Sequence, residues 1–167
     1  MIRSFCITAI TATICLAVIG CSSSPQRAST SSPKSGELTE LNVLTAPVGQ
    51  DLDGRPGIDG FSVRVYANIA SNPKPVPIVS GTLEILMFDG TVYGRTNVPP
   101  ALHIWTFPAN QLRNYEFTAR IGIGYEFSLA WRTNVPTRNL ISVGARYTSP
   151  EGKILTSSLS SVTVLNK

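Results

Sequence analysis

Residues 61–67 read FSVRVYA, and residues 125–131 read YEFSLAW. In both stretches an apolar residue stands at every second position, and mostly polar or small residues stand between. This two-residue period is typical of a β-strand with one buried face, because successive side chains of a strand point to opposite sides of the sheet. We therefore predict two strands here whose inward faces belong to one core.

The same pattern predicts further strands elsewhere in the chain. Residues 141–147 repeat it, and residues 83–87 follow it more loosely. The weaker predictions are strands over residues 41–44, 103–107 and 161–165 and one helical turn near residues 108–113.

Turn sequences indicate that these strands pair antiparallel. Asp89-Gly90 suits a type I′ turn, which needs positive φ, and predicts a hairpin between residues 83–88 and 91–93. Ser149-Pro150-Glu151-Gly152 predicts a second hairpin, from Tyr147 to Ile154. Gly122-Ile123-Gly124 is interpreted as a bend before the strand at Tyr125, because the helix and lysine of a phosphate loop do not follow it.

Together these elements predict an all-β fold. Twelve prolines and thirteen glycines are scattered along the chain, and no long stretch shows the spacing of an amphipathic helix. About seven or eight strands with hairpin turns are typical of an antiparallel β-sandwich. The pattern leaves both an immunoglobulin-like and a transthyretin-like sandwich open.

The first twenty residues have the composition of a signal peptide. Arg3 supplies a positive charge, and residues 5–19 form an apolar stretch too short for a permanent membrane span. Val18-Ile19-Gly20-Cys21 ends this stretch with a small residue, as a signal peptidase requires, followed by a thiol. The sequence predicts that residues 1–20 are removed and that Cys21 begins the mature chain.

The motif Val18-Ile19-Gly20-Cys21 resembles the lipobox of bacterial membrane lipoproteins. The resemblance implies that the sulfur of Cys21 carries diacylglycerol and that its amino group carries an acyl chain such as palmitate. Buried acyl chains contribute about 0.8 kcal/mol per methylene, so they hold a protein in the cell envelope. Ser22, in place of aspartate, implies the outer membrane in hosts that sort lipoproteins. The alternative is an ordinary secretory signal that happens to end in cysteine.

The residues after Cys21 are predicted to form a tether. Residues 22–36 read SSSPQRASTSSPKSG and contain no apolar side chain larger than alanine, so they cannot build a core. A flexible chain of this length reaches about 20 Å. The sequence thus divides into a leader (residues 1–20), a lipidated tether (residues 21–36) and a folded domain (residues 37–167).

Charge and composition exclude several classes of function. The formal net charge is +4, but the basic residues are dispersed singly, so the sequence does not predict a nucleic-acid partner. All three cysteines lie in or at the end of the leader, and His103 is the sole histidine, expected on a half-packed strand. No Gly-x-Ser-x-Gly motif accompanies the serines. The chain is therefore not predicted to be an enzyme.

Residues 51–60, DLDGRPGIDG, form the most suggestive loop. Asp51, Asp53 and Asp59 in a glycine-rich turn can converge on Ca²⁺. The loop departs from the EF-hand pattern at Arg55, at Pro56 and at Ser62, where a bidentate glutamate would stand. The alternative is a rigid turn that leads into the strand at Phe61.

Aromatic residues provide a second candidate site. Tyr66, Trp105 and Trp131, with Tyr93 and Tyr115, are candidates for a ligand platform like those of carbohydrate-binding sandwiches. The alternative is that these rings belong to the core or to hairpins.

Gly54-Arg55-Pro56 followed by Val63-Arg64-Val65-Tyr66 resembles the sandwich lipoprotein of type VI secretion systems, which contacts an inner-membrane partner through a loop. The sequence favours a membrane-anchored, non-enzymatic binding or scaffolding module with an envelope protein or glycan as partner. A Ca²⁺-dependent ligand binder, a lipid-anchored enzyme and a secretion-system accessory lipoprotein are the alternatives.

Overall fold

The computed structural model describes residues 36–92 and 98–164. The leader, the lipobox with Cys21, the tether up to residue 35, Tyr93 and Leu165 lie outside these residues. The predictions made for them stay predictions.

The described chain is built mostly of strands. The nine strands are β1 (Leu38–Thr45), β2 (Gly60–Ile69), β3 (Thr82–Asp89), β4 (His103–Pro108), β5 (Glu116–Ala119), β6 (Gly122–Ala130), β7 (Leu140–Thr148), β8 (Ile154–Thr156) and β9 (Ser160–Thr163). One short helix, α1 (Ala109–Leu112), and a 3₁₀ turn (Arg113–Tyr115) link β4 to β5.

The strands form two antiparallel sheets. The first has the order β1-β2-β6-β5, and the second has the order β4-β3-β7, with β8 and β9 pairing with the remaining edge of β7. We letter β1 to β7 as A, B, C, C′, D, E and F, and β8 together with β9 as G. The two sheets then have the orders A-B-E-D and C′-C-F-G, which are those of immunoglobulin-like sandwiches. Of the two architectures that the sequence left open, the strand order is therefore the immunoglobulin-like one.

The core lies between the two sheets and follows the predicted alternation. The buried inward-facing side chains are Phe61, Val63, Val65 and Ala67 on β2, Leu83, Ile85 and Met87 on β3, Tyr125, Phe127 and Leu129 on β6, and Ile141, Val143, Ala145 and Tyr147 on β7. Trp105 of β4 packs its ring edge-on against Phe61, with centroids 5.6 Å apart.

Most predicted elements are confirmed. The weaker strands at residues 41–44 and 103–107 lie within β1 and β4, and the predicted helical turn is α1. The hairpin at Ser149-Pro150-Glu151-Gly152 forms, with Thr148 opposite Ile154 and the Ser149 N–H donating to the Lys153 carbonyl at 2.8 Å. Nine strands exceed the seven or eight expected, because the short β5 was missed and β8 and β9 are two pieces of one interrupted edge.

The hairpin predicted at Asp89-Gly90 is wrong. Both edges of β3 are already paired, with β4 and with β7, so residues 91 and 92 cannot return along it. Gly90 does take a positive φ of 86°, but its N–H donates to the Leu140 carbonyl at 2.8 Å instead of closing a two-residue turn.

The bend predicted at Gly122-Ile123-Gly124 is also wrong, because these residues are the first part of β6 and pair with β5. Gly124 is required there for a different reason. A Cβ on it would stand 2.6 Å from the Tyr66 ring, which lies across the strand.

The strand directions define two ends of the sandwich. The near end, where the chain enters at residue 36, carries Glu37 and the loops of residues 70–81, 120–121 and 149–153. The far end carries the loops of residues 46–59 and 131–139. The register sets this division, since Leu38 pairs with Ile69 at one end of β2 and Gly60 pairs with Ala130 at the other.

Candidate binding surface

The far end carries the loop that the sequence marked for Ca²⁺. Each of its three carboxylates accepts a backbone hydrogen bond: Asp51 from Gly54 at 2.8 Å, Asp53 from Arg55 at 2.9 Å, and Asp59 from Leu52 at 2.7 Å. Aspartate side chains that accept from residues a few positions away stabilise tight turns. The carboxylates thus have a structural role in the loop.

These contacts bear on the Ca²⁺ prediction without testing it. Each aspartate accepts a backbone N–H at one oxygen, and the other oxygen of Asp53 lies 3.8 Å from Nε of Arg55. Within residues 36–92 and 98–164, no three histidine, cysteine, aspartate or glutamate side chains are grouped closely enough to hold a metal ion. The prediction therefore needs a binding measurement.

The second loop of the far end, residues 131–139, joins β6 to β7. The Trp131 N–H donates to the Asp59 carbonyl at 3.0 Å, which ties this loop to the first one. The Trp131 side chain is 2% exposed, so its ring is part of the core rather than of the surface. The two loops are therefore linked to each other and, through the Trp131 ring, to the core beneath them.

Asp89 at the end of β3 fixes the same loop from the other side. Its carboxylate accepts hydrogen bonds from the Thr137 hydroxyl, from the Thr137 N–H at 3.2 Å and from the Arg138 N–H at 3.0 Å. Partial burial alone would raise the pKa of Asp89, but these hydrogen bonds and the Arg138 charge lower the pKa below its ordinary value. The ionised carboxylate is thus the form that the fold prefers.

His103 anchors the loop at a third point. The amide Nδ2 of Asn134 hydrogen bonds to Nδ1 of His103, and since an amide nitrogen donates, the ring nitrogen accepts. The His103 ring also packs on Trp105, with centroids 4.2 Å apart. His103 thus lies on a strand, as predicted, and its contacts help to hold the loop.

These contacts fix the part of the loop that carries Arg132, an exposed residue. It has a φ of 49°, the only positive φ at a non-glycine residue in the described part of the chain. The left-handed region costs an ordinary residue about 1–2 kcal/mol. Such strain persists where the surroundings hold it, and it is found most often at functional sites.

The two loops enclose a concavity of about 490 Å³ beside Arg132. Its walls are formed by Asp53, Ile58, Asp59, Trp131, Arg132 and Val135. Val135 is 50% exposed at its rim. An exposed aliphatic residue, an arginine and two carboxylates therefore converge at one place.

The residues of the predicted aromatic platform lie in separate parts of the sandwich. Tyr66 lies on the outer face of the first sheet, where it packs edge-on against Phe117 at 5.9 Å. Trp105 lies between the sheets on Phe61, and Tyr115 packs on Phe107 and Phe127. Of the three leading candidates, only Trp131 lines the far-end concavity, and it does so with little of its ring exposed.

The sequence pattern did not mark Arg132 and Val135 as residues of the site, or Asp89 as the residue that fixes its second loop. Residues 131–139, WRTNVPTRN, show no periodic pattern, and the role of Asp89 depends on a loop about fifty positions away. Ser142 was missed as well. Its buried hydroxyl donates to the Gly90 carbonyl at 2.9 Å and accepts from the Val92 N–H at 3.1 Å.

Two further grooves lie elsewhere. One, of about 630 Å³, lies between residues 77–79 and α1, where the Tyr125 hydroxyl accepts from the Ile78 N–H at 2.7 Å. Burial raises the pKa of this tyrosine. The other, of about 560 Å³, crosses the outer face of the second sheet over Leu86, Gly144 and Leu159.

The fold and the site define an all-β sandwich with a two-loop concavity at one end. No protein-family model matches this chain, and neither a curated protein nor a solved structure matches it. Among the described residues, no helix combines the length and the apolar character that crossing a bilayer requires.

Proposed function

We propose that this protein is a lipid-anchored lipoprotein of the cell envelope whose sandwich is a non-enzymatic binding or scaffolding module. The observation that carries the proposal is the far-end surface, on which hydrogen bonds from three directions hold the strained Arg132 beside a concavity. In this proposal Cys21 carries the diacylglycerol and acyl chains, and the far end faces the partner.

Preorganisation supports a binding role for this surface. A loop that is already ordered does not lose conformational freedom when a partner binds, so more of the contact energy appears as affinity. Arginine is enriched at the centres of protein interfaces. An envelope protein is the partner that such a surface fits best.

The resemblance to the type VI secretion lipoprotein gives a more specific version of this proposal. Gly54, Arg55 and Pro56 lie in the exposed far-end loop, next to the concavity wall at Asp53. That position is the reason to keep a secretion-system partner as a second candidate. The outer membrane, as Ser22 implies in hosts that sort lipoproteins, is the proposed location of the anchor.

The test is photocrosslinking in the native host from single positions on the surface. A photoreactive residue in place of Val135 is expected to capture one envelope protein, whereas the same residue in place of Thr118, exposed on β5, is not. Equal capture from both positions, or none from position 135, would contradict the proposal. Mass spectrometry of the mature protein tests the anchor separately, with triacylated Cys21 as the expected N-terminus.

Calorimetry separates the Ca²⁺-dependent alternative from the leading proposal. Titration of Ca²⁺ into the mature chain would give a binding heat that the Asp53→Asn variant lacks if Asp51, Asp53 and Asp59 bind the ion. A glycan ligand that requires Ca²⁺ would then replace the protein partner.

A further inference from the structure

We propose that the near end of the sandwich docks on an anionic phospholipid bilayer and thereby orients the far end away from the membrane. This inference rests on the proposed lipid anchor at Cys21. Each of the three near-end loops, taken together with the first residue of the strand that follows it, combines a basic side chain with an exposed branched aliphatic one. The pairs are Lys74 with Val79, Arg120 with Ile121, and Lys153 with Ile154.

Strand register brings the three loops to one end. Ala119 pairs with Gly122 around the loop of Arg120 and Ile121, and Thr148 pairs with Ile154 around the loop of Lys153. Pro75, next to Lys74, packs closely on Gly122. A Cβ on Gly122 would stand 2.8 Å from the Pro75 ring.

The chain enters the domain at this same end. Nζ of Lys153 lies 2.6 Å from a carboxylate oxygen of Glu37, so the first strand begins beside the third loop. Cys21 precedes Glu37 by only sixteen positions in the sequence. A lipid on Cys21 would therefore keep the near end at a high effective concentration near the bilayer, where weak contacts are enough to orient it.

The apolar side chains are suited to insertion among headgroups. Val79 is 84% exposed, Ile121 is 54% exposed and Ile154 is 58% exposed. Single exposed aliphatic residues are common on soluble proteins. Here Val79 and Ile121 lie in loops that also carry a basic residue, and Ile154, the first residue of β8, directly follows Lys153. A basic residue beside an apolar one is the combination found on membrane-surface segments.

The two ends differ in charge. Among the described residues neither Lys74 nor Arg120 forms an ion pair, and these near-end loops with Glu37 hold three basic and two acidic residues. The far end with Asp89 holds four aspartates against Arg55, Arg132 and Arg138. An anionic surface therefore favours contact with the near end over contact with the far end.

The experiment uses the lipidated mature chain in vesicles. Acylation blocks Cys21, so Ile121→Cys introduces a single free thiol for a fluorophore, and Leu52→Cys places the same label at the far end. In vesicles that contain phosphatidylglycerol and a lipid-borne quencher, we expect the label at position 121 to be quenched and the label at position 52 to remain bright. Quenching at position 121 should weaken at high salt and in phosphatidylcholine vesicles.

Charge reversal provides the matched comparison. Each basic residue near an anionic surface strengthens contact about fivefold, so Lys74→Glu with Arg120→Glu should lower the ratio of docked to undocked protein by about 25-fold or more. Arg55→Glu with Arg132→Glu changes net charge equally at the far end and should leave the ratio unchanged.

The outcomes separate the two proposals. An acylated chain whose label at position 121 stays bright, or whose two charge reversals act alike, overturns docking and leaves the anchor intact. An unacylated Cys21 overturns the anchor. In that case docking stands only if the unacylated chain still binds phosphatidylglycerol vesicles and loses this binding with K74E and R120E.

Discussion

The two ends of the sandwich are held in different ways. At the far end, hydrogen bonds run from one loop to another or to a neighbouring strand, as between Trp131 and Asp59 and between Asp89 and Thr137. At the near end, the tips at residues 72–74 and 149–153 bond mainly within themselves, as where the Lys74 N–H donates to the Asn72 side chain at 3.0 Å. Elsewhere in these loops some bonds reach neighbouring elements, as where the Ile78 N–H donates to the Tyr125 hydroxyl. The far end is thus one coupled unit, whereas the near-end tips are separate turns.

This difference is consistent with different partners. A specific protein partner requires side chains that stay in register with one another, which a coupled pair of loops provides. Contact with an anionic bilayer requires only that basic side chains and apolar loop tips reach the headgroups together. Changes at the far end should therefore affect stability and partner binding together, and changes at the near end should affect neither strongly.

The largest effect is expected from Trp131→Ala. The Trp131 ring is buried beneath the far-end loops, and removal of a buried tryptophan costs about 3–5 kcal/mol of unfolding free energy. Val135→Ala, four residues on and half exposed, should cost about 0.5 kcal/mol or less. Urea denaturation of both variants measures the difference. Similar midpoints for the two would show that the loops are not supported by the core.

Asp89→Ala should have the next largest effect. The variant loses the acceptor that fixes Thr137 and Arg138, a role like that of a capping side chain, whose removal costs about 0.5–2 kcal/mol. Asp53→Ala, which frees one N–H within its own loop, is the matched control and should cost less. Amide hydrogen exchange of residues 131–139 should rise in the first variant alone.

The charge of Asp89 makes this contribution depend on pH. Because the folded-state pKa lies below the ordinary value of 3.8, the ionised form stabilises the fold at pH values above 3.8. That stabilisation is lost as the pH falls through the lower folded-state pKa. The stability difference between the protein and its Asp89→Asn variant should therefore be constant near neutrality and shrink in acid. A difference that grows in acid would contradict the assignment.

The same contrast explains what the sequence was able to predict. Alternation along residues 61–67 and 125–131 identified two central strands, because burial of one face depends on local pattern alone. The hairpin predicted at Asp89-Gly90 was wrong because both edges of β3 are taken by β4 and β7, and the second of these partners comes about fifty positions later in the chain. Arg132 carried no local signal, since its backbone conformation is imposed by the contacts of Trp131 and Asn134 on either side.

Arg132→Gly should raise stability while it weakens partner capture. Glycine adopts a positive φ without steric cost, so the variant should gain up to about 1 kcal/mol. Arg132→Lys keeps both the strain and the charge and should leave stability unchanged. Thermal unfolding, combined with crosslinking from position 135, measures both effects. A variant R132G that is more stable and still captures the partner fully would remove Arg132 from the binding surface.

The smallest effect is expected at the near end, from the pair of Glu37 and Lys153. Both side chains are partly exposed, and exposed ion pairs contribute about 0.2–1 kcal/mol. A double-mutant cycle with Glu37→Gln and Lys153→Met should give a coupling energy in this range that falls as salt is added. The pair of Glu84 and Arg146 on β3 and β7 is less exposed and is the matched comparison, with a larger and less salt-sensitive coupling. A stronger coupling at the near end would mean that the start of β1 is held as firmly as the far-end loops, and the contrast between the two ends would no longer hold.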